Sequence, residues 1–302
     1  MADRLNPDAL RYAQAVAQAG SFSAAAREVG VTQPALSNGI AKLEARLGER
    51  LFDRTARGVT ATPFGAHLLP LVDRAVTALD DVDAEARRWN APAADSIRMG
   101  VSPLIDPRIV GRAYRAVRDL CEPDPCQLVL REANMGELRD ALAAGDLDVI
   151  VVPSVAPMPR FEHRVIDSEP VVLVEAEPET TGPAELADLA GKQLILMPDT
   201  CGLTAFTRDL LGAHDIAVRD YPGEAASYRV LEEWSALGLG SAMLPESKLT
   251  GPTTSQRKVL DDGVEVEIFY EAVWDPRSVK ADLLRTLADG LEAPQPDSTP
   301  SH

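Results

Sequence analysis

The chain has 302 residues, 45% hydrophobic and 25% charged, enough for two or three domains with real cores. No apolar run approaches the ~20 residues of a bilayer crossing. The start, MADRLNPDAL, has no basic-then-apolar secretion pattern, so a cytoplasmic protein with no membrane partner is expected. The net charge of −17 seems to exclude nucleic acid, but residues 1–62 hold eight Lys/Arg against six Asp/Glu, and the acidity lies beyond residue 90. Phosphate attraction is local, with a screening length of ~8 Å, so a basic end keeps its partner while distal acidity limits non-specific sticking.

Residues 7–19 read as a helix opened by Pro7, with Leu10, Ala13, Val16 and Ala17 on one side. Residues 23–29 and 33–47 form two more, joined by a tight turn at Gly30-Val31, with Thr32 opening the third and Gly48 ending it. In the third helix Leu36, Ile40, Leu43 and Leu47 share one face, and Gln33, Ser37, Asn38, Lys42 and Arg46 the other. Two helices, a glycine turn and hydrogen-bonding side chains at the start of the second fit a helix-turn-helix entering a major groove of double-stranded DNA. In ERLFDRTARGVTAT, Leu51 and Phe52 anchor a β-wing with Arg54 and Arg57 near its tip.

Thr62-Pro63 starts a long helix running to Asn90. Leu68, Val72, Ala75, Leu79, Val82, Ala86 and Trp89 make a heptad seam for a second copy of the chain. Asn90–Ser96 is a linker by composition. Strand-like and helical runs then alternate, which predicts parallel sheets and two α/β lobes. The tail from 293 to 302 is polar and Pro-rich, the composition of a disordered segment.

Cys121, Cys126 and Cys201 are too few for a disulfide framework, and Cys121 and Cys126 read as reduced thiols. His67, His163, His214 and His302 have no metal-ligand spacing, so neither a metal nor a cofactor is expected. GxGxxG after a strand, GxxxxGK[ST], HExxH and GxSxG are all missing, so a non-enzyme is expected.

The segment GSFSAAAREVGVTQPALSNGIAKLEARLGERLFDRTARGVTATPFG resembles the winged helix-turn-helix of LysR-type transcriptional regulators. Weaker similarity runs on through GELRDALAAGDLDVIVVP, DSEPVVLV and ALGLGSAMLP. The resemblance implies a winged helix-turn-helix over 1–62, a dimerisation helix over 63–90 and an effector-binding domain over 95–292. That domain has the two-lobed α/β fold of periplasmic binding proteins, lobe I being 95–166 plus 270–292 and lobe II 167–269. The lobes are joined by crossings near Glu162–Ser168 and Val266–Trp274. A homodimer or homotetramer is implied.

Ser23, Thr32, Gln33, Pro34 and Ser37 then face DNA, with Asn38, Lys42 and the wing's Arg54 and Arg57; Gln pairs with adenine and Ser serves base or phosphate. Ser23 also reads as the cap of its helix. Where the family commonly has a basic or long polar pair after Ser37, this chain has Asn38-Gly39, read as a side chain removed near the groove.

The effector site maps to strand-to-helix turns: Ser102 and Pro103, Ser154, Thr200 and Cys201, Glu224 and Ser227. Helix N-termini beside hydroxyls suit a small carboxylate, although Glu224 would disfavour an anion. Two alternatives stand beside a ligand-responsive regulator. One is a repressor whose distal domain is only an oligomerisation scaffold. The other is a thiol-based redox sensor through Cys201, which the family's peroxide-sensing branch suggests; LTAFTRDLLG, which follows, holds no second cysteine.

Overall fold

The computed structural model describes residues 5–55, 58–90, 96–120, 126–177, 182–251 and 255–292, with the backbone alone at 54–55, 84–85 and 87–90. Two compact units meet at Asn90/Ala91. In the first, α1 (Pro7–Ala19), α2 (Phe22–Glu28) and α3 (Gln33–Leu47) precede a hairpin of β1 (Phe52–Thr55) and β2 (Gly58–Ala61), then α4 (Pro63–Asn90). Asn6 caps α1 beside Pro7, and Gly20 ends it in the left-handed region at φ 59°. Leu10, Ala13 and Val16 meet Phe22, Leu36, Ile40, Leu43 and Phe52 in one core.

The Thr62 hydroxyl donates to the Arg50 carbonyl at 2.6 Å and accepts from the Gly65 N–H at 2.9 Å, pinning the start of α4 to the chain before the hairpin. A Cβ at residue 65 would collide with the Leu51 carbonyl, so the close approach needs glycine. The helix continues through Pro70, which is exposed; its missing N–H leaves the exposed Ala66 carbonyl without a helical donor.

The second unit runs β3 (Ser96–Val101), α5 (Pro107–Leu120), β4 (Gln127–Glu132), α6 (Met135–Ala143), β5 (Val149–Pro153), β6 (Glu162–Val174), β7 (Ala184–Glu185), β8 (Gln193–Leu196), α7 (Gly202–Ala213), β9 (Arg219–Glu224), α8 (Tyr228–Ala236), β10 (Ala242–Pro245), β11 (Gln256–Asp261), β12 (Val264–Glu265), β13 (Glu267–Trp274) and α9 (Ala281–Leu291). Every residue of β5 is buried, as in a strand covered on both faces.

Parallel pairing, expected from alternation, holds for β3 with β4 and β5, and for β8 with β9. It fails around β6, whose partners β10, β11 and β13 are all antiparallel. The first part of β6 pairs with β13 from Glu162 to Pro170; its last residues, Val171–Val174, turn to β10 and β11. These two long strands run between the two α/β lobes, and β13 shifts register at Tyr270/Glu271. The run from Val264 to Trp274 is split into β12 and β13 at Val266, whose N–H donates to the Val259 carbonyl. β11 and β12 form a hairpin over Asp262-Gly263, both at positive φ, 48° and 80°.

Asp148 locks one end of the first lobe. Its carboxylate accepts from the Arg98 backbone N–H and guanidinium, both at 2.8 Å, and from Lys280 at 3.0 Å. Burial pushes this carboxyl up, but the Arg98 and Lys280 contacts outweigh it and hold it below the usual carboxylate range. Of the other sequence expectations, the linker at 91–95, Cys121 and the tail at 293–302 lie outside the described residues.

Candidate nucleic-acid interface and ligand cleft

The Thr32 hydroxyl caps α3, accepting from the Ala35 N–H at 3.4 Å. Leu36, Ile40 and Leu43 are buried, which turns Gln33, Pro34, Asn38 and Lys42 outward. Ser37 is half-buried and, with Ala41, Arg50 and Asp53, lines a groove of about 370 Å³ between α3 and β1. Arg50 was not singled out in the sequence.

Three readings of the head are corrected. Ser21, not Ser23, caps α2, accepting from the Ala24 N–H at 3.4 Å; Ser23 is exposed in the first turn. Gly39 does not face the groove. A Cβ there would lie 2.7 Å from the Tyr12 ring of α1, so the glycine makes room for that ring. Glu44, which the sequence did not single out, accepts from the Leu51 and Phe52 N–H groups at 2.8 and 3.3 Å and ties α3 to the wing. Val72 of the expected seam is buried with Leu69 and Val76 in the head's own core, and Leu68 packs against that core.

Leu79 is half-buried, and Ala75, Val82 and Ala86 are exposed, Val82 at 68%. Trp89 is described by backbone alone. Arg54 lies in β1 opposite Val59, its side chain outside the described residues, as is Arg57.

A cavity of about 360 Å³ opens between the two lobes of the second unit. It brings together Ser102 and Pro103, which follow β3, Thr200 and Cys201 before α7, and Ser227, which caps α8. Ser154 and Glu224 are not in its lining. The Ser154 hydroxyl instead donates to Glu271 at 3.3 Å, and Glu224 ends β9 exposed. Missing from the sequence reading were Glu132 at the end of β4 and Asn134 after it, Met135, Met197, Pro198 and Tyr228. The turn after β4 has the same strand-to-helix form as those that were read, a signal that would have found Glu132 and Asn134.

Cys201 Sγ lies 3.4 Å from the Tyr228 hydroxyl and 3.9 Å from Met197 Sδ. Burial, Cys201 and Glu132 push the Tyr228 phenol up, so it stays a neutral hydroxyl. Lys248 Nζ stands 5.6 Å from the Tyr228 ring centroid and donates to the Ile105 carbonyl at 2.8 Å. The cleft therefore offers hydroxyls, soft sulfur and apolar surface around one carboxylate.

Among the described residues no helix is long and apolar enough to cross a membrane. Residues 7–66 match the family model "Bacterial regulatory helix-turn-helix protein, lysR family", and residues 90–293 match "LysR substrate binding domain". The HTH-type transcriptional regulator IlvR of Caulobacter vibrioides is 33% identical over 245 residues, 78% of this chain and 81% of that protein. A probable hydrogen peroxide-inducible genes activator of Streptomyces viridosporus is 30% identical over 260 residues, 83% of this chain and 81% of that protein. The fold is that of a mutant OxyR of Corynebacterium glutamicum with hydrogen peroxide bound, at TM-score 0.58 and 24% identity over 97% of this chain and 93% of that one. The polar edge of α3, the wing and the two-lobed cleft thus have a common source: the chain belongs to the LysR family of DNA-binding transcription regulators.

Proposed function

We infer that the chain regulates transcription by reading promoter DNA through α3 and the wing, under control of a small molecule held between its lobes. The observation that carries this is the division of α3: Leu36, Ile40 and Leu43 are buried, while Gln33, Asn38 and Lys42 are left to solvent. Gln33 and Asn38 suit adenine, and Ser23, Ser37, Lys42, Arg54 and Arg57 suit phosphate.

Residues 1–62 are the DNA-binding part, 63–90 the dimerisation helix, and 95–292 the sensor, with lobe I as 95–166 and 270–292 and lobe II as 167–269. The self-partner uses Ala75, Leu79, Val82, Ala86 and Trp89, giving a homodimer or homotetramer. Val72 is left out because it is already buried in the head. The cleft binds rather than turns over its ligand, and the compartment that fits is the cytoplasm, where the DNA is. Ligand binding favours one lobe arrangement, which shifts the placement of the paired heads.

A gel-shift titration on the intergenic DNA upstream of the chain's own gene tests the reading. Binding is expected that weakens steeply as salt rises, because phosphate contacts release counterions. Salt-independent binding, or none with or without added metabolites, sinks it.

A second reading, thiol oxidation at Cys201, draws on the relatives named for hydrogen peroxide. Against it, α7 offers no second cysteine, and Cys201 packs on Met197 and Tyr228. A peroxide-dependent change in DNA binding that Cys201→Ser abolishes would favour it over ligand control.

A further inference from the structure

The cleft's chemistry departs from the small carboxylate that its helix N-termini suggest. Of the residues lining the cavity, Glu132 alone carries a formal charge. No arginine or lysine is in the lining, and among the described residues no salt bridge holds the Glu132 carboxylate. Its neighbour Arg131 points to the other face of β4 by strand alternation. Lys248 is committed to the Ile105 carbonyl beside the Tyr228 ring.

The N–H groups that attract anions are also partly taken. Asn134 caps α6 by accepting from the Glu137 N–H at 3.0 Å, and Ser227 caps α8 by accepting from the Val230 N–H at 3.3 Å. At the start of α7, by contrast, the cap residue Cys201 makes no side-chain hydrogen bond to the helix's own N–H groups. A carboxylate alone would enter beside Glu132 with no cation in the lining to offset the repulsion, Lys248 standing outside it over the Tyr228 ring. An ammonium would find a carboxylate, several oxygen acceptors, and the sulfur and ring surfaces of Met135, Met197 and Tyr228 for its apolar body.

We propose that the effector of this chain carries an ammonium group on an apolar body, with Glu132 as its counter-charge. The proposal rests on the ligand-cleft reading above. A free amine and an α-amino acid share this chemistry; in the second, the carboxylate faces the uncapped start of α7.

Thermal unfolding of the full chain is followed with six probes in two matched sets. One set is L-leucine, isoamylamine and 4-methyl-2-oxopentanoate. The other is L-phenylalanine, phenethylamine and phenylpyruvate. In at least one set the amino acid or the amine is expected to raise Tm, and the keto acid is not. Stabilisation by the amino acid and not the amine assigns a zwitterion; the reverse assigns a simple amine. Glu132→Gln is expected to weaken the responding probe by about tenfold or more, since a charge-assisted hydrogen bond is lost.

A rise with a keto acid alone, no rise with any probe, or a rise that Glu132→Gln leaves intact overturns the ammonium assignment. Ala226→Trp, which fills the mouth of the cavity, separates the two readings. Stabilisation that survives in it removes the cleft as the site altogether; a keto-acid response lost in it keeps the cleft and removes only the ammonium.

Discussion

At the head, the side chains turned to solvent come from one helix: Gln33, Asn38 and Lys42 stand on α3, held by the burial of Leu36, Ile40 and Leu43 on the other side. In the cleft, Ser102, Glu132, Cys201 and Ser227 come from four strand-to-helix junctions spread over both lobes, and only the tertiary fold brings them to one cavity. A surface carried on one helix depends on local periodicity. A surface assembled from distant turns depends on the whole tertiary arrangement, and single substitutions far from it can undo it.

The largest expected effect tests that dependence from the cleft's side. Asp148→Asn removes the buried negative charge shared by Arg98 and Lys280 and should destabilise the sensor by about 3 kcal/mol. Urea unfolding measures the loss, and gel shifts of the same variant should show the head still binding DNA. Because Asp148 is held below its unfolded value of about 3.9, its contribution is full at neutral pH and fades as pH falls through and below that value. Wild type and variant should converge in strong acid. A gap that persists there means the ion cluster is not the cause.

Gln33→Ala makes the reverse test. Gln33 is exposed, so unfolding should be unchanged while affinity for the promoter falls by about 2 kcal/mol, with relaxed preference at one base pair. Equal loss on all sequences would move Gln33 from base reading to backbone contact.

The smallest effect is Gly39→Ala. Helix propensity alone favours alanine by about 1 kcal/mol. The added methyl meets the Tyr12 ring at 2.7 Å, and overpacking of that kind costs about 1–3 kcal/mol. The net is a destabilisation of about 1 kcal/mol that changes sign in a Tyr12→Ala background. A stabilising Gly39→Ala in the parent chain refutes the packing role.

What could be read in advance follows the same division. Pro7, Thr32 with Gly48, and Thr62-Pro63 mark helix ends by local chemistry: α1 and α4 begin there, and α3 both begins and ends there. Gly39 was misjudged because its reason, Tyr12, lies on another helix. Val72 was placed on a partner because a heptad spacing does not say whether the apolar stripe meets a second copy or the chain itself. In the sensor the alternation of strands and helices was legible, but the antiparallel company of β6 was not, since pairing is decided by distant segments. The Asp262-Gly263 hairpin was the one local sign of it. Glu132 was missed although its turn resembles the others, because only the folded sheet gathers it with Cys201 and Tyr228.

The missing methyl at position 39 also bears on engineering. Anyone redirecting this regulator to a new operator would transplant residues 33–47 from a relative. A graft with any other residue at 39 would arrive with a Cβ that the Tyr12 ring must shift to admit. The exchangeable cassette without that cost is thus not the recognition helix alone: the first helix travels with it, or Tyr12 is trimmed in the recipient.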